Sequence, residues 1–300
     1  MALRRPLALI AGLFRELPLG DAIPIEAGGT GVTTAAAARD ALAVREKLSA
    51  ARTYYVRTDG SDSNDGLSNT AGGAFLTIQK AVDVAASLDL GIYDITIRCR
   101  GAFSSTTVLK SITGAGKVLI RGDADDTLTM SVAVSGTSVN AFEFGPGFQG
   151  TYRLQYMAVS SAGGSGVTTG GSGPANVEIA NVAFGACNFY HVWAASNQVI
   201  DFVGPCSISG GSFAFARSSD SAVVRMNQAF TLTGTPAFGS GFVVSERAAG
   251  IVATLASFTG SATGNRYQVT LNAYIFVNGA GASFLPGSSA GVASTGGQYA

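Results

Sequence analysis

Charge is scarce in this 300-residue chain. Only 13% of its residues are Asp, Glu, Lys or Arg, and 19 basic side chains balance 19 acidic ones. A nucleic-acid binder would carry a basic excess to meet phosphates, so none is expected as a partner. An acidic disordered chain is also excluded, because 47% of the residues are hydrophobic. No apolar run reaches the ~20 residues that a membrane-spanning helix needs. Histidine occurs once and cysteine three times. Cys99, Cys187 and Cys206 show no CxxC spacing, so they read as buried free thiols, not as a zinc site or a disulfide framework. Arg4 and Arg5 precede an apolar stretch, Pro6 to Phe14, but Arg15 and Glu16 follow at once without a small-x-small site. That argues against a cleaved leader.

Glycine is plentiful: 40 residues, with no three-residue period, which excludes collagen. With Val, Thr and Ser abundant, the composition suggests many short strands joined by tight turns. The charge is unevenly spread. Residues 1–126 hold 14 basic and 14 acidic side chains, and residues 127–300 only five of each. The later part must rely on hydroxyls and amides at its surface, or be covered by other subunits.

Five segments follow. Residues 1–23 form a short strand-like or extended segment. Residues 24–51 join a glycine turn, with Thr34 as candidate N-cap, to an alanine-rich helix over 35–51 that would bury Ala38, Leu42 and Leu48. Residues 52–93 carry the strand Tyr54-Tyr55-Val56, a polar loop from Asp59 to Gly73, and a second helix capped by Thr77. In that helix Ile78, Ala81, Val82, Ala85 and Ala86 recur at helical spacing. Residues 94–277 are strand after strand: Ile95/Ile97, Val118/Ile120, Phe142/Phe144, Val177/Ile179, Tyr267/Val269/Leu271. Residues 278–300 are a Gly/Ser-rich closing segment.

A weak repeat runs through the strand region. Val182-Ala183-Phe184-Gly185, Ser207-Ile208-Ser209-Gly210, Thr231-Leu232-Thr233-Gly234 and Ser257-Phe258-Thr259-Gly260 share one shape. Their glycines are 25, 24 and 26 residues apart, and Phe189, Phe213 and Phe238 follow the first three. Val199-Ile200 and Val223-Val224 recur likewise. A period near 25 with three short strands matches one turn of a parallel β-helix, whose coils stack at about 4.8 Å. About eight turns would fit. An antiparallel sandwich would show more Asn-Gly hairpin signals between paired strands than the single Asn278-Gly279. Helix 77–88 stands where a cap for the first strand edges belongs.

Four parts of the chain carry a family resemblance. Met1-Ala-Leu-Arg-Arg-Pro-Leu with Leu17-Pro, and Ala27-Gly-Gly-Thr-Gly-Val-Thr-Thr-Ala-Ala-Ala-Ala-Arg39, resemble the openings of bacteriophage tail fibres. Tyr54-Tyr-Val-Arg-Thr-Asp-Gly-Ser-Asp-Ser-Asn-Asp-Gly66 with Ala74-Phe-Leu-Thr-Ile-Gln-Lys-Ala-Val82 resembles the start of pectin-lyase-like β-helices in phage tailspikes. Phe284-Leu-Pro-Gly-Ser-Ser-Ala-Gly and Thr295-Gly-Gly-Gln-Tyr299 are similar to the ends of such proteins. The resemblance implies a right-handed parallel β-helix in a homotrimeric virion protein. Its N-terminal region would contact phage tail or baseplate proteins, and its β-helix would meet a host surface polysaccharide or another envelope receptor.

Chemistry is sparse. Glycoside cleavage needs two carboxylates about 5–5.5 or 6.5–9.5 Å apart. The later region offers Glu143, Glu178, Asp201, Asp220 and Glu246, and a depolymerase would draw on Glu178, Asp201 and Asp220. The repeat stacks Asp201 on Arg225, which favours a structural ion pair. Asp220 sits in a bend, and Glu178 and Glu246 show no partner. His191 lacks a paired acid and reads as a trimer-axis or solvated ladder residue. Asp59, Asp62, Asn64 and Asp65 crowd one loop, but the sixth position from Asp59 is Asn64 where an EF-hand needs glycine, so Asx-turns are expected instead of a metal. Gly28–Gly31 and Gly163–Gly173 lack the Lys-Ser/Thr of a phosphate loop, and no GxSxG frame occurs. No cofactor is implied. The sequence therefore leads to an attachment subunit, with a polysaccharide depolymerase or a secreted carbohydrate-binding protein as alternatives.

Overall fold

The computed structural model describes residues 7–10, 13–16, 31–42, 44–123, 130–145, 147–170 and 175–300. From Arg52 onward the chain is a parallel β-solenoid. One face runs in order from Arg52–Arg57 through Ile95–Phe103, Val118–Gly122, Gly150–Ser161, Ala175–Cys187, Val199–Phe202, Val223–Arg225, Gly250–Val252 and Tyr274–Phe276 to Gln298–Tyr299. A second face branches from the same sheet through Met130–Val134, Cys206–Ile208, Ala229–Leu232 and Ser257–Thr259. A third, eight-stranded sheet begins at Thr107–Leu109 and ends at Val292–Ala293. Every pairing between solenoid strands is parallel; Leu7–Ile10 with Leu13–Glu16 is antiparallel.

The inward row of the first face reads Ile95, Val118, Tyr152, Val177, Ile200, Val224, Ile251, Ile275, Tyr299, each in register with the next. These eight steps match the expected number of turns. All but Tyr299 are buried. Behind them Phe184, Phe202, Phe215, Phe230, Phe242, Phe258 and Phe284 form an unbroken chain of ring contacts, with centroids 5.1–6.4 Å apart. Parallel stacking brings like residues over like, so apolar rows become continuous core.

The repeat is correct in its middle and shifted at its ends. Ile208 lies on Leu232 as expected. Phe184, rather than Ala183, lies under Ile208, and Phe258 lies on Phe230, two residues before Leu232. The second shift arises because the coil from Val224 to Ile251 is 27 residues long while its neighbours on either side are 24. Phe189 stacks on Phe213, but Phe238 sits over Ser212. Two of the four repeat glycines bend with positive φ, Gly234 at 70° and Gly260 at 97°. At Gly210 close approach matters instead: a Cβ there would lie 2.0 Å from the Ala186 nitrogen.

Helix α2, Ile78–Ala86, begins as expected. Thr77 is its N-cap and accepts from the Lys80 amide at 3.1 Å. Its buried face is Ile78, Ala81, Val82, Ala85 and Ala86. The helix also meets the edge of the third sheet through Gln79. The Val108 amide donates to Gln79 Oε1 at 2.7 Å, and Gln79 Nε2 donates to the Val108 carbonyl at 3.1 Å. One amide side chain thus pairs with the edge strand as a neighbouring strand would.

Two expectations need correction. Helix α1 is Ala35–Ala41, not 35–51. Leu42 is 61% exposed, whereas Leu48 is buried because its amide bonds the Asp89 carbonyl at the start of the solenoid. Thr34 does cap α1, accepting from the Ala37 amide. Leu271 belongs to a corner (φ 54°) and is 46% exposed, so it leaves the inward row. The glycine turn at 27–30 and the Gly171–Gly173 stretch lie outside the described residues. In the segment 278–300, Val292–Ala293 and Gln298–Tyr299 pair parallel to the preceding coil.

Phe213 and Phe215 lie two residues apart, one 46% exposed and the other fully buried. Phe215→Ala should cost about 3–5 kcal/mol, read as a shift of the urea midpoint, while Phe213→Ala should cost about 1 kcal/mol or less. Equal shifts would refute the buried chain of rings.

Candidate functional site

Outward residues stack in rows as the inward ones do. On the first face one row reads Thr53, Thr96, Leu119, Arg153, Glu178, Asp201, Arg225, Val252, Phe276. Four successive rungs carry charge. Glu178 accepts from Lys117 Nζ at 2.5 Å and from Arg153 Nε at 2.7 Å. Burial alone would raise its pKa, but these two cations outweigh burial and hold the carboxyl below its ordinary range. Asp201, one coil on, is moved the other way. Burial raises it, Arg225 at 3.7 Å opposes weakly, and the Glu178 charge adds to the rise. The stacking of Asp201 on Arg225 is as the repeat implied. Glu178, by contrast, has partners the sequence reading missed, though Arg153 precedes it by 25 residues, one coil.

A second charged group lies on the third sheet and its corner. Arg217 pairs with Glu246, donates to the Tyr190 hydroxyl at 3.1 Å, and lies over the Tyr190 and Trp193 rings at 4.9 and 4.6 Å. Arg247 bridges Glu246 at 3.0 Å and Asp220 at 2.7 Å. The Arg247 bond lowers the Asp220 pKa. Glu246 therefore also has partners that the sequence reading did not see. Asp220 belongs to this group and occupies the turn before Val223–Arg225, while Glu178 and Asp201 share a row on the first face. The structure brings two of the three candidate carboxylates together and gives the third to another cluster. Glu143 accepts from Asn140 Nδ2 at 3.1 Å.

The acidic loop is spent on the fold. Asp62 accepts from the Leu76 and Thr77 amides and the Thr77 hydroxyl at 2.8–2.9 Å. Asp65 accepts from the Leu67 amide, an Asx-turn; Asp59 pairs with Arg57; Asn64 donates to the Ala71 and Ala74 carbonyls. Among the described residues no group of three or more His, Cys, Asp or Glu could hold a metal ion.

His191 corrects its expectation. It is fully buried beside Phe184, Phe215 and Phe238, neither solvated nor at an axis. Nε2 bonds the Gly185 carbonyl at 2.7 Å, and Nδ1 lies 3.1 Å from the Ser212 hydroxyl. Burial pushes its pKa down to about 4, against the pull of the Gly185 and Gly210 carbonyls. The three cysteines are free and buried, and burial pushes the Cys187 and Cys206 thiols up to about 12. None of these groups is poised as a nucleophile or a base at neutral pH.

No family model, curated protein or solved structure matches the chain.

His191 binds a proton less readily folded than unfolded, so its stabilising contribution is full above pH 6.5 and declines toward pH 4. Between pH 7 and pH 5 the wild-type protein should lose about 2 kcal/mol on this account. His191→Gln should flatten that decline in urea titrations at the two pH values. An equal decline in both proteins would contradict the assignment.

Proposed function

We propose that this chain is a structural attachment protein of a bacteriophage tail: a fibre or tailspike subunit that assembles as a homotrimer and holds the host surface by non-covalent contact. The observation that carries this reading is how the solenoid uses its few charges. Of the ten charged side chains after residue 126, eight are ion-paired across coils: Arg153 with Glu178, Asp201 with Arg225, and Arg217, Glu246, Arg247 and Asp220 in one network. Apart from these pairs, Glu143 and Arg266, what remains outward is hydroxyl, amide and apolar. Tyr274 and Phe276 are 40% and 42% exposed on the last coils of the first face. Such faces suit burial against copies of the same rod, or contact with a hydroxyl-rich polymer. The tail-type segments at residues 1–7, 27–39 and 54–82 add the virion context by resemblance. Location in the virion tail, contact with tail or baseplate proteins through residues 1–50, and an envelope polysaccharide as receptor belong to the same reading.

One observation favours a polysaccharide depolymerase as the second reading. Glu178 and Asp201 are neighbours whose surroundings drive their pKa values apart, the pattern that divides acid from base work. Asp220 would not take part there.

Native mass spectrometry should give three times the 30.3 kDa chain mass, and labelled protein should adsorb to host cells without releasing reducing sugar from their envelope. A stable monomer that does not adsorb would overturn the attachment reading. Sugar release that disappears in Glu178→Gln and Asp201→Asn would replace it with the enzymatic one.

A further inference from the structure

The shoulder of the solenoid, where the acidic loop meets α2, holds a cleft of about 220 Å³. Its apolar side is Leu76, Ile78 and Phe103, and its polar side is Thr58, Ser104 and Ser105. No charged residue lines it. The carboxylates nearby in the chain are already engaged: Asp62 by the Leu76 and Thr77 amides, Asp59 by Arg57, and Asp83 by Gln79 and Lys110. Among the described residues, none forms a hydrogen bond with the hydroxyls of Thr58, Ser104 or Ser105. Gly101, next to the lining residue Ala102, packs against Thr58: a Cβ there would lie 2.7 Å from both Thr58 Oγ1 and Thr58 Cγ2. Its φ of 120° is equally a glycine conformation.

The geometry points to a binding site for a single neutral pyranose ring. The volume equals that of about seven waters, enough for one six-membered sugar ring. An aromatic side chain beside three free hydroxyls matches a ligand with apolar C–H faces and a rim of hydroxyls. The uncharged lining disfavours an acidic sugar, whose carboxylate would lose water and gain no cation. The ring is a chain end or a side branch, because the cleft has no room for two. This inference rests on the attachment reading only in naming envelope polysaccharide as the source of the ring.

Ligand-observed saturation-transfer NMR on the full chain tests it, with methyl glycosides of glucose, galactose and mannose as probes. Methyl glucuronoside and cyclohexylmethanol are the charged and apolar controls. At least one neutral glycoside should bind in the millimolar range and more tightly than either control. Ala102→Trp, at an exposed position that lines the cleft, should weaken binding at least tenfold with an unchanged melting curve. Ser104→Ala with Ser105→Ala should weaken it several-fold, and this double variant decides the matter if Ala102→Trp does not fold. Absence of binding by all three glycosides, equal binding of cyclohexylmethanol, or unchanged binding in the well-folded variants would overturn the site. Adsorption to cells separates the two proposals. Wild-type protein that binds a glycoside but never adsorbs retains the site and loses the attachment reading. Protein that adsorbs but binds no glycoside does the reverse.

Discussion

Parallel coil-on-coil pairing is the constraint from which the rest follows. Once strands stack in register at about 4.8 Å, every outward side chain has a fixed neighbour above and below. An unpaired like charge in such a row is destabilising. The solenoid meets this by having few charges and by placing nearly all of them beside an opposite one. Arg153, Glu178, Asp201 and Arg225 occupy four consecutive rungs, cation at each end and two carboxylates between. That order leaves Glu178 and Asp201 adjacent. Lys117 reaches in from the flank to support Glu178, whereas burial, with the Glu178 charge adding to it, raises the pKa of Asp201 against the pull of Arg225.

The same constraint governs the corners between the third sheet and the first face. Ser196-Asn197, Asp220-Ser221, Arg247-Ala248, Leu271-Asn272 and Thr295-Gly296 all have positive φ at both residues. Left-handed backbone costs an ordinary residue about 1 kcal/mol, and only one of these ten is glycine. The cost is met along the stack. Asn197, Ser221, Ala248 and Asn272 each donate a backbone bond of 3.0–3.1 Å to the carbonyl of the corner one coil on. Inside the corners, the buried Ser218 and Ser245 hydroxyls donate to the Ala222 and Ala249 carbonyls, equivalent bonds one coil apart.

How much of this was legible follows from what each signal depends on. Val199-Ile200-Asp201 and Val223-Val224-Arg225 could be superposed by eye because their coil has the modal length, and the Asp201–Arg225 pair came with them. Phe230 and Phe258 could not, since the extra residues between Val224 and Ile251 break a fixed period. Glu178 showed no partner because the repeat is visible only from Val182 onward, which leaves Arg153, one coil below, unaligned, and Lys117 lies farther still in sequence. The corners were invisible because the code sought there was glycine, whereas the corner-to-corner bonds let Arg, Leu and Ala adopt the same backbone. His191 was misplaced by strand alternation: Val192 and His191 are both buried, so alternation fails at the start of Tyr190–Ala194.

The start of the solenoid shows why a short sequence segment can specify a fold this long. Its first third-sheet strand has an open edge, and an open edge recruits other strands. In Thr77-Ile78-Gln79-Lys80-Ala81 the threonine fixes where the helix begins, the apolar residues bury one face, and the glutamine amide replaces the missing strand at Val108. Asp62 then ties the loop to that same helix start. Cap, loop and first coil are thereby positioned together, and each later coil needs only to match the one before it. The polar loop's Asp and Asn side chains serve this geometry, and its junction with α2 leaves the shoulder cleft as a consequence of where the helix must sit.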